Sequence, residues 1–195
     1  MFLSPSRGIS FLPRFSFWTT RTPWRPGVSL YEAIVAQARS EPFYREYGVP
    51  DTVHGRFEMI VLHVALVLAR LEPEGDAGQE TGRAMLEAFV ADMDDACRRL
   101  GIGDMGVPRH VKKAAVAVLE RGNAYRAAMV ADAEGGALAS VLTAEIWREP
   151  DTDAAGARAL ADYVRRAVAR LEAQDGLALV GGSVVFPEIL ARDGA

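Results

Sequence analysis

A glycine-rich segment in the middle of the chain has the letters of a nucleotide-binding motif. Gly101-Ile102-Gly103-Asp104-Met105-Gly106 fits G-x-G-x-x-G, in which a strand delivers glycines to a helix N-terminus aimed at a pyrophosphate. Here the segment follows a helical pattern and not a strand, which argues against a dinucleotide site. We therefore interpret Gly101 as a helix stop and the segment as a tight connection into the next helix.

Three neighbouring acids are the strongest candidates for a cation site. Asp92, Asp94 and Asp95 lie within a helical pattern whose apolar positions include Met93. A hard cation needs oxygen ligands from several directions, and one helix does not wrap its own carboxylates around it. We expect an exposed acidic face here and no metal site.

The remaining reactive side chains do not assemble into catalytic machinery. The histidines at positions 54, 63 and 110 form no H-E-x-x-H or other close ligand pair, and Cys97 has no histidine near it in sequence. No serine occupies a G-x-S-x-G motif. We predict that the chain is not an enzyme and has no catalytic residue and no cofactor, and that His63 is a hydrogen-bonded core histidine.

Apolar residues at helical spacing predict the elements that must position these side chains. The three- and four-residue spacing runs from Thr81 to Leu100, and it resumes at Val107-Pro108 and continues to Met129. A shorter helix should end before Pro150, and a final long one should be capped near Asp151 or Thr152.

The N-terminal half carries the signals of three further helices. They are expected to begin at the capping box Ser29-Leu30-Tyr31-Glu32, at Glu41 and after the cap Pro50-Asp51-Thr52. The third should run to Leu71 and be the most buried. Glu72 to Gly78 is interpreted as a solvated loop because it holds a proline and two glycines.

These elements predict an all-α fold, a single compact domain of about six helices over residues 29–190. Residues 1–28 should form a basic, proline-rich, flexible arm, since four arginines and no acid occur from Met1 to Tyr31. The apolar tail from Leu177 to Phe186 should pack on the helices and not form a sheet. The run from Met59 to Ala69 is too short to span a membrane.

The distribution of charge along the chain is more informative than the net charge of -4, which gives no case for specific nucleic-acid binding. Glu72 to Asp95 holds eight acids against one arginine, whereas Arg98 to Arg126 holds seven basic residues against two acids. Opposed patches of this kind can dock helices together or steer a partner, and a solvated charged surface is the alternative interpretation.

The run from Met59 to Ala69 is interpreted as core, although it could also form an exposed groove. Arg56 and Glu58 beside it could make an ion pair with another helix or form part of a rim that contacts a partner. The predicted partner-binding residues are the charged side chains of this rim: Arg56, Glu58, Asp92, Asp94, Lys112 and Lys113.

Two separated blocks of the chain together resemble a family signature. The first runs from Tyr47-Gly48-Val49-Pro50-Asp51-Thr52 through Gly55-Arg56-Phe57-Glu58 to Leu71. The second joins Asp92-Met93-Asp94-Asp95 to Leu100-Gly101-Ile102-Gly103-Asp104 and to Val107-Pro108-Arg109-His110-Val111-Lys112-Lys113. In this order the two blocks resemble the ubiquinol-cytochrome c reductase assembly chaperones, and the resemblance extends from about Leu30 to Pro187.

The resemblance implies a non-enzymatic chaperone that binds newly made cytochrome b during assembly of ubiquinol-cytochrome c reductase. Implied partners are cytochrome b or its complex, with the ribosome or a small partner protein, and a peripheral membrane contact. Since no convincing transit peptide is present, we expect a bacterial protein at the cytoplasmic face of the inner membrane, or a mitochondrial matrix protein if it is eukaryotic. A general helical adaptor at the membrane surface is the alternative.

Overall fold

Eight α-helices cover most of the residues that the structure, a computed structural model, describes: 25–131, 136–148 and 154–191. In chain order they are α1 (Arg25–Ala38), α2 (Glu41–Arg45), α3 (Val53–Leu71), α4 (Gly75–Arg99), α5 (Val107–Ala131), α6 (Gly136–Leu142), α7 (Ala154–Glu172) and α8 (Gly176–Val180). A 3-10 turn (Glu72–Glu74) joins α3 to α4, and a π-helical turn (Thr143–Trp147) extends α6. Within these ranges no strand occurs and six helices exceed five residues, which confirms the all-α prediction.

Helix α3 is the centre of the fold. Thr52 caps it by accepting a hydrogen bond from the Gly55 amide at 3.1 Å, as predicted. Every residue from Glu58 to Val67 is buried, because α1, α4, α5 and α7 all pack around this helix. The interpretation of the apolar run as core is therefore confirmed, with only its last residues, Leu68 and Ala69, half-buried.

Helices α1 and α4 run in the same direction, and both are held against α3. Gly27 lies against Ala84, and the rings of Tyr31 and Phe89 meet edge to face with centroids 6.1 Å apart. Phe89 also faces Phe57 of α3 at 6.5 Å, near the start of that helix. Helix α4 therefore continues well past the start of α3 before the chain turns back into α5.

His63 is a hydrogen-bonded core residue, as predicted. Its Nδ1 lies 2.7 Å from the Met59 carbonyl oxygen, so this nitrogen carries the proton and donates. Its Nε2 then accepts from the Tyr163 hydroxyl at 2.8 Å. The Phe43 and Phe186 rings cover the imidazole edge to face. This contact joins α3 to α7 in the interior.

Two predicted boundaries are wrong. Ser29 does not cap a helix, because α1 already includes Arg25, with Pro26 in the first turn where its missing amide costs nothing. The segment Glu72 to Gly78 is a 3-10 turn followed by the start of α4. Gly78 is buried there, and only glycine fits, because a β-carbon would lie 2.1 Å from the Leu71 carbonyl oxygen.

The ends of the predicted domain are covered in part. Residues 1–24 of the predicted arm and the predicted caps Asp151 and Thr152 lie outside the described residues. The division at residue 28 stays a prediction, although residues 25–28 already belong to α1. After α8 the chain has no regular secondary structure, and Val184, Phe186 and Ile189 pack on the core, which confirms the prediction for the apolar tail.

Replacing Gly27 with valine should lower the free energy of unfolding by about 1 to 3 kcal/mol, because the new side chain has no room between α1 and α4. A β-carbon at this position would lie 2.6 Å from both the Ala84 β-carbon and the Met85 amide nitrogen. Urea unfolding measures the change. Gly103→Val is the control, since a β-carbon there meets nothing within 4 Å. Equal stability of the two variants would contradict the close packing of α1 on α4.

Candidate partner-binding site

Five of the six predicted partner-binding residues lie at the end of the bundle where α3 begins and α4 ends. Arg56 is in the first turn of α3, next to Phe57, which faces Phe89 of α4. Asp92 and Asp94 follow on α4, within two turns of its last residue. Lys112 and Lys113 lie within two turns of the start of α5. The fold thus brings the predicted residues of three helices to one end.

Arg56 is exposed and already bound to a neighbour. Its Nε donates to the Asp51 carboxylate at 2.5 Å, and this hydrogen bond lowers the pKa of Asp51 below its usual value. The guanidinium retains further N–H donors for a partner. Surface ion pairs of this kind contribute little to stability, so the pair mainly orients the arginine.

Asp92 and Asp94 are half-exposed and each is held by a neighbouring side chain. The Tyr31 hydroxyl donates to Asp92 at 2.8 Å, and burial followed by this hydrogen bond raises the pKa of Tyr31. Arg99 lies 3.5 Å from the other Asp92 oxygen. Asp94 accepts from Arg98 at 2.7 Å. These contacts fix the carboxylates in place while leaving them partly open to solvent.

Lys112 and Lys113 differ from the other predicted residues because both are exposed and form no ion pair with any residue that the structure describes. They follow Arg109 at the start of α5, a first turn that carries no acid. Positive charge at a helix N-terminus opposes the helix dipole and costs a few tenths of a kcal/mol. The ammonium groups remain available to an anionic partner.

An apolar strip lies between these charges, and we define it as Phe57, Phe89 and Met93. Phe89 is buried, Phe57 is half-buried against it, and Met93 follows Phe89 by one helical turn and is half-buried too. The helical stripe of the sequence included Met93 and Phe89. It gave no sign that Phe57 would join them, because that contact depends on how α3 crosses α4.

Glu58 is not a rim residue, and this part of the rim interpretation is wrong. Its side chain is 1% exposed and accepts from Arg121 of α5, with Nε at 3.2 Å and Nη2 at 3.3 Å. Arg121 also reaches Glu145 of the π-helical turn at 2.6 Å. The alternative that remained open, an ion pair with another helix, is the one observed. A role of Glu58 in partner binding stays a prediction.

Arg121 and Glu145 are the residues that sequence reasoning missed. Arg121 stands beside Gly122 in the apolar stripe of α5, at a position that looks solvent-facing on the helix alone. Burial of Glu58 makes Arg121 necessary, because a buried carboxylate without a partner greatly lowers the free energy of unfolding. A charge immediately before a long apolar run was the available signal that a partner from another helix had to exist.

Two small cavities flank the crossing of α3 and α5. Their volumes are about 40 and 30 Å³, and Ala65, Ala69, Gly122 and Arg126 line both. Each has room for one or two water molecules and not for a peptide segment or a nucleotide. A protein partner would therefore bind at the surface and not in these cavities.

The connection from α4 to α5 is an exposed turn, as interpreted. Gly101 adopts φ of 76°, the left-handed conformation that ends α4, and the Gly106 amide donates to Gly103 at 2.7 Å. No helix of the described part is long and apolar enough to cross a membrane. The described residues also contain no group of three or more His, Cys, Asp or Glu side chains that could hold a metal ion.

The fold and this site define a class, an all-α domain whose grouped charges and half-buried apolar strip suit the binding of another protein. Comparison with known proteins gives the family. The profile of the ubiquinol-cytochrome C chaperone family matches residues 45–186, more than half of the chain, and the chain belongs to this family.

Relatives extend this match to proteins of other organisms. The chain is 24% identical to ubiquinol-cytochrome-c reductase complex assembly factor 1 of Xenopus laevis, over 84% of this chain and 82% of that protein. It is 28% identical to the Drosophila melanogaster factor of the same name over 73% of this chain, but spans only 56% of that protein. The solved structure of the Cbp3 homolog from Brucella abortus superposes with a TM-score of 0.77 and 35% identity, covering 86% of this chain and 91% of that one.

Replacing Arg121 with methionine should destabilise the domain by about 3 to 5 kcal/mol, because it removes the guanidinium that pairs with the buried Glu58 and leaves only the His54 imidazole, 3.9 Å away. The double variant Glu58→Gln/Arg121→Met should recover part of this loss, since the buried carboxylate is gone. Urea unfolding gives both values. Arg45→Met, which breaks an exposed pair with Glu41, is the control and should change stability by less than about 1 kcal/mol. A small effect of Arg121→Met would show that the pair is not buried.

Acid should destabilise the fold through His63. Burial lowers the pKa of His63 from 6.5 to about 4, so between these values the unfolded chain binds more protons than the folded one. Stability therefore falls as the pH drops from about 6.5 to about 4, by a total of about 3 kcal/mol from this group. His63→Gln does not titrate and should lower this pH dependence in urea unfolding. The exposed His110→Gln is the control, and an equal slope in both variants would contradict the assignment.

Proposed function

We propose that the chain is an assembly chaperone of ubiquinol-cytochrome c reductase that binds newly made cytochrome b. The observation that carries this proposal is membership of the chaperone family over residues 45–186. Relatives from frog and fly are named as assembly factors of that complex, and the fold resembles the Cbp3 homolog. The grouping of apolar and charged side chains at one end supports a protein client.

The client surface of this proposal consists of the apolar strip and the charges around it. Phe57 and Met93 cover apolar segments of the client, which would otherwise be exposed to water before insertion. Charges of both signs flank them: Arg56, Asp92, Asp94, Lys112 and Lys113. Polar loops of a membrane protein carry charges of both signs, so a mixed surface binds them while excluding many other partners.

Glu58 serves this surface indirectly. Its pairing with Arg121 fixes α5 against α3, and α5 carries Lys112 and Lys113. We therefore assign Glu58 a positioning role and not a direct contact. The chaperone acts beside the membrane that receives cytochrome b, at the cytoplasmic face of a bacterial inner membrane or in the mitochondrial matrix, with the ribosome or a small protein as further partners.

Photocrosslinking in cells tests the client. A photoreactive residue at Arg56 should give cytochrome b as the main adduct, because this side chain is exposed beside Phe57. The matched control is the same residue at Arg170, which is exposed near the end of α7, level with Arg70 at the other end of α3, and should give little of that adduct. Mass spectrometry of the membrane fraction identifies the adducts. Unrelated proteins from Arg56, with normal cytochrome b after gene deletion, would favour a general adaptor instead.

A further inference from the structure

The connection between α4 and α5 carries exposed apolar side chains next to unpaired basic ones. We define the hairpin tip as residues 98–113, the last turn of α4, the connection and the first two turns of α5. We propose that the hairpin tip binds an anionic membrane surface. This inference rests on the proposed function for its biological setting, but the binding itself requires no client.

Two large apolar side chains of the tip are turned to solvent. Met105 is 98% exposed and Leu100 is 61% exposed. Methionine and leucine are among the residues most often buried, so a pair of them on a short connection is informative. β-Carbons built at Gly101 and Gly103 meet nothing within 4 Å, which shows that the connection stands clear of the rest of the described chain. The apolar side chains of the connection are therefore free to insert into a lipid surface.

The tip also projects beyond the start of α3. Phe57 and Phe89 mark the level at which α3 and α4 lie side by side. From there α3 reaches back four residues to Val53, whereas α4 continues ten residues to Arg99. At 1.5 Å per residue, α4 passes the start of α3 by about 9 Å. A flat surface can therefore meet the tip before it meets α3.

The uncompensated charge of the tip is positive. Arg98 is bound by Asp94 and by Asp104, the acid of the connection, at 2.7 and 2.6 Å. Arg99 lies 3.5 Å from Asp92, and the exposed Asp95 is one turn further back on α4. Three exposed basic residues of α5 have no carboxylate partner among the described residues: Arg109, Lys112 and Lys113. The N-terminal end of the α5 dipole adds to this positive field.

An anionic bilayer satisfies both features at once. Met105 and Leu100 gain by leaving water for the boundary between headgroups and acyl chains, and the basic residues gain from the negative surface potential. One such signal gives only marginal binding, and stable attachment to a membrane ordinarily takes two. Nucleic acid would use the positive charge but offers no apolar phase, and the tip has no Phe, Tyr or Trp on which a base could stack, only the imidazole of His110.

Vesicle flotation with the purified full chain tests the proposal. Wild-type protein should float with vesicles of equal parts phosphatidylcholine and phosphatidylglycerol, and not with phosphatidylcholine alone. Met105→Glu should weaken binding about tenfold or more, since the apolar contact is lost. Lys112→Gln/Lys113→Gln should weaken it about 25-fold at low ionic strength, about fivefold for each charge, and by much less in high salt.

Matched variants separate this effect from loss of fold or of overall charge. Val130→Glu changes an exposed apolar residue near the other end of α5, about 35 Å from the start of that helix, and should bind vesicles as the wild type does. Arg158→Gln/Arg170→Gln removes two exposed charges from α7 and should leave binding within about twofold of wild type. Circular dichroism confirms that each variant is folded.

Three outcomes would overturn the proposal. Wild-type protein that does not float with the anionic vesicles at low ionic strength rules it out. Equal binding by Met105→Glu and Val130→Glu removes the tip as the site. Binding to ribosomal RNA without binding to vesicles assigns the basic residues to nucleic acid. Each outcome is independent of the cytochrome b adduct from Arg56, so a failed membrane contact is distinguishable from a failed client assignment.

Discussion

The fold depends on the burial of α3 with three polar side chains still on it. Glu58, His63 and Arg70 are all buried, and none of them is left without a partner. Glu58 is bound by Arg121 of α5, His63 by Tyr163 of α7, and Arg70 by the carbonyl oxygens of Leu171 and Gln174 at the end of α7. A buried polar group that loses its partner costs far more than a satisfied one contributes, so each contact penalises any shift of α3 along its neighbours. Apolar packing alone tolerates such shifts much better. The polar residues thus select one arrangement of α5 and α7 around a helix that hydrophobicity would bury in many ways.

This constraint reaches the surface through α5 and α4. Once Arg121 is tied to Glu58, the first turns of α5 are placed, and Lys112 and Lys113 lie beyond the start of α3. Helix α4 is set from the other side, where Gly27 allows α1 to approach it closely and Phe57 meets Phe89. The charged residues at this end therefore owe their grouping to contacts made one or two turns deeper in the bundle. Variation in the surface charges need not disturb the fold. Changes at the buried Glu58 or Gly27 would displace the charged surface residues, although neither residue lies on the surface.

Helix existence and burial were predictable from sequence, whereas helix pairing was not. The stripes of α4 and α5 and the cap at Thr52 are local features, and each appears in the structure as expected. The prediction at Ser29 was wrong because the sequence pattern of a capping box also occurs where a serine and a glutamate lie on the surface of a helix that started earlier. Gly78 misled because glycine marks both loops and close helix contacts, and only the position of the Leu71 carbonyl distinguishes them. Glu58 was placed at a rim because its partner is 63 residues away in sequence. The site was thus predictable where it consists of exposed charges, and not where a residue's role depends on a neighbour from another helix.

Half-burial of the apolar strip bears on how a chaperone both binds and releases. A fully exposed patch of Phe57 and Met93 would promote self-association of the free protein, whereas a fully buried one would offer no apolar contact to a client. Phe89 is fully buried, and Phe57 and Met93 are only partly open to solvent, so the apolar contribution to client binding is modest. The surrounding charges then supply selectivity and fast encounter more than affinity, since exposed ion pairs are weak. Modest affinity also favours release, because among related complexes a weaker interface mainly dissociates faster. On the proposed function, this surface suits a client that must be handed on to a growing complex and not retained.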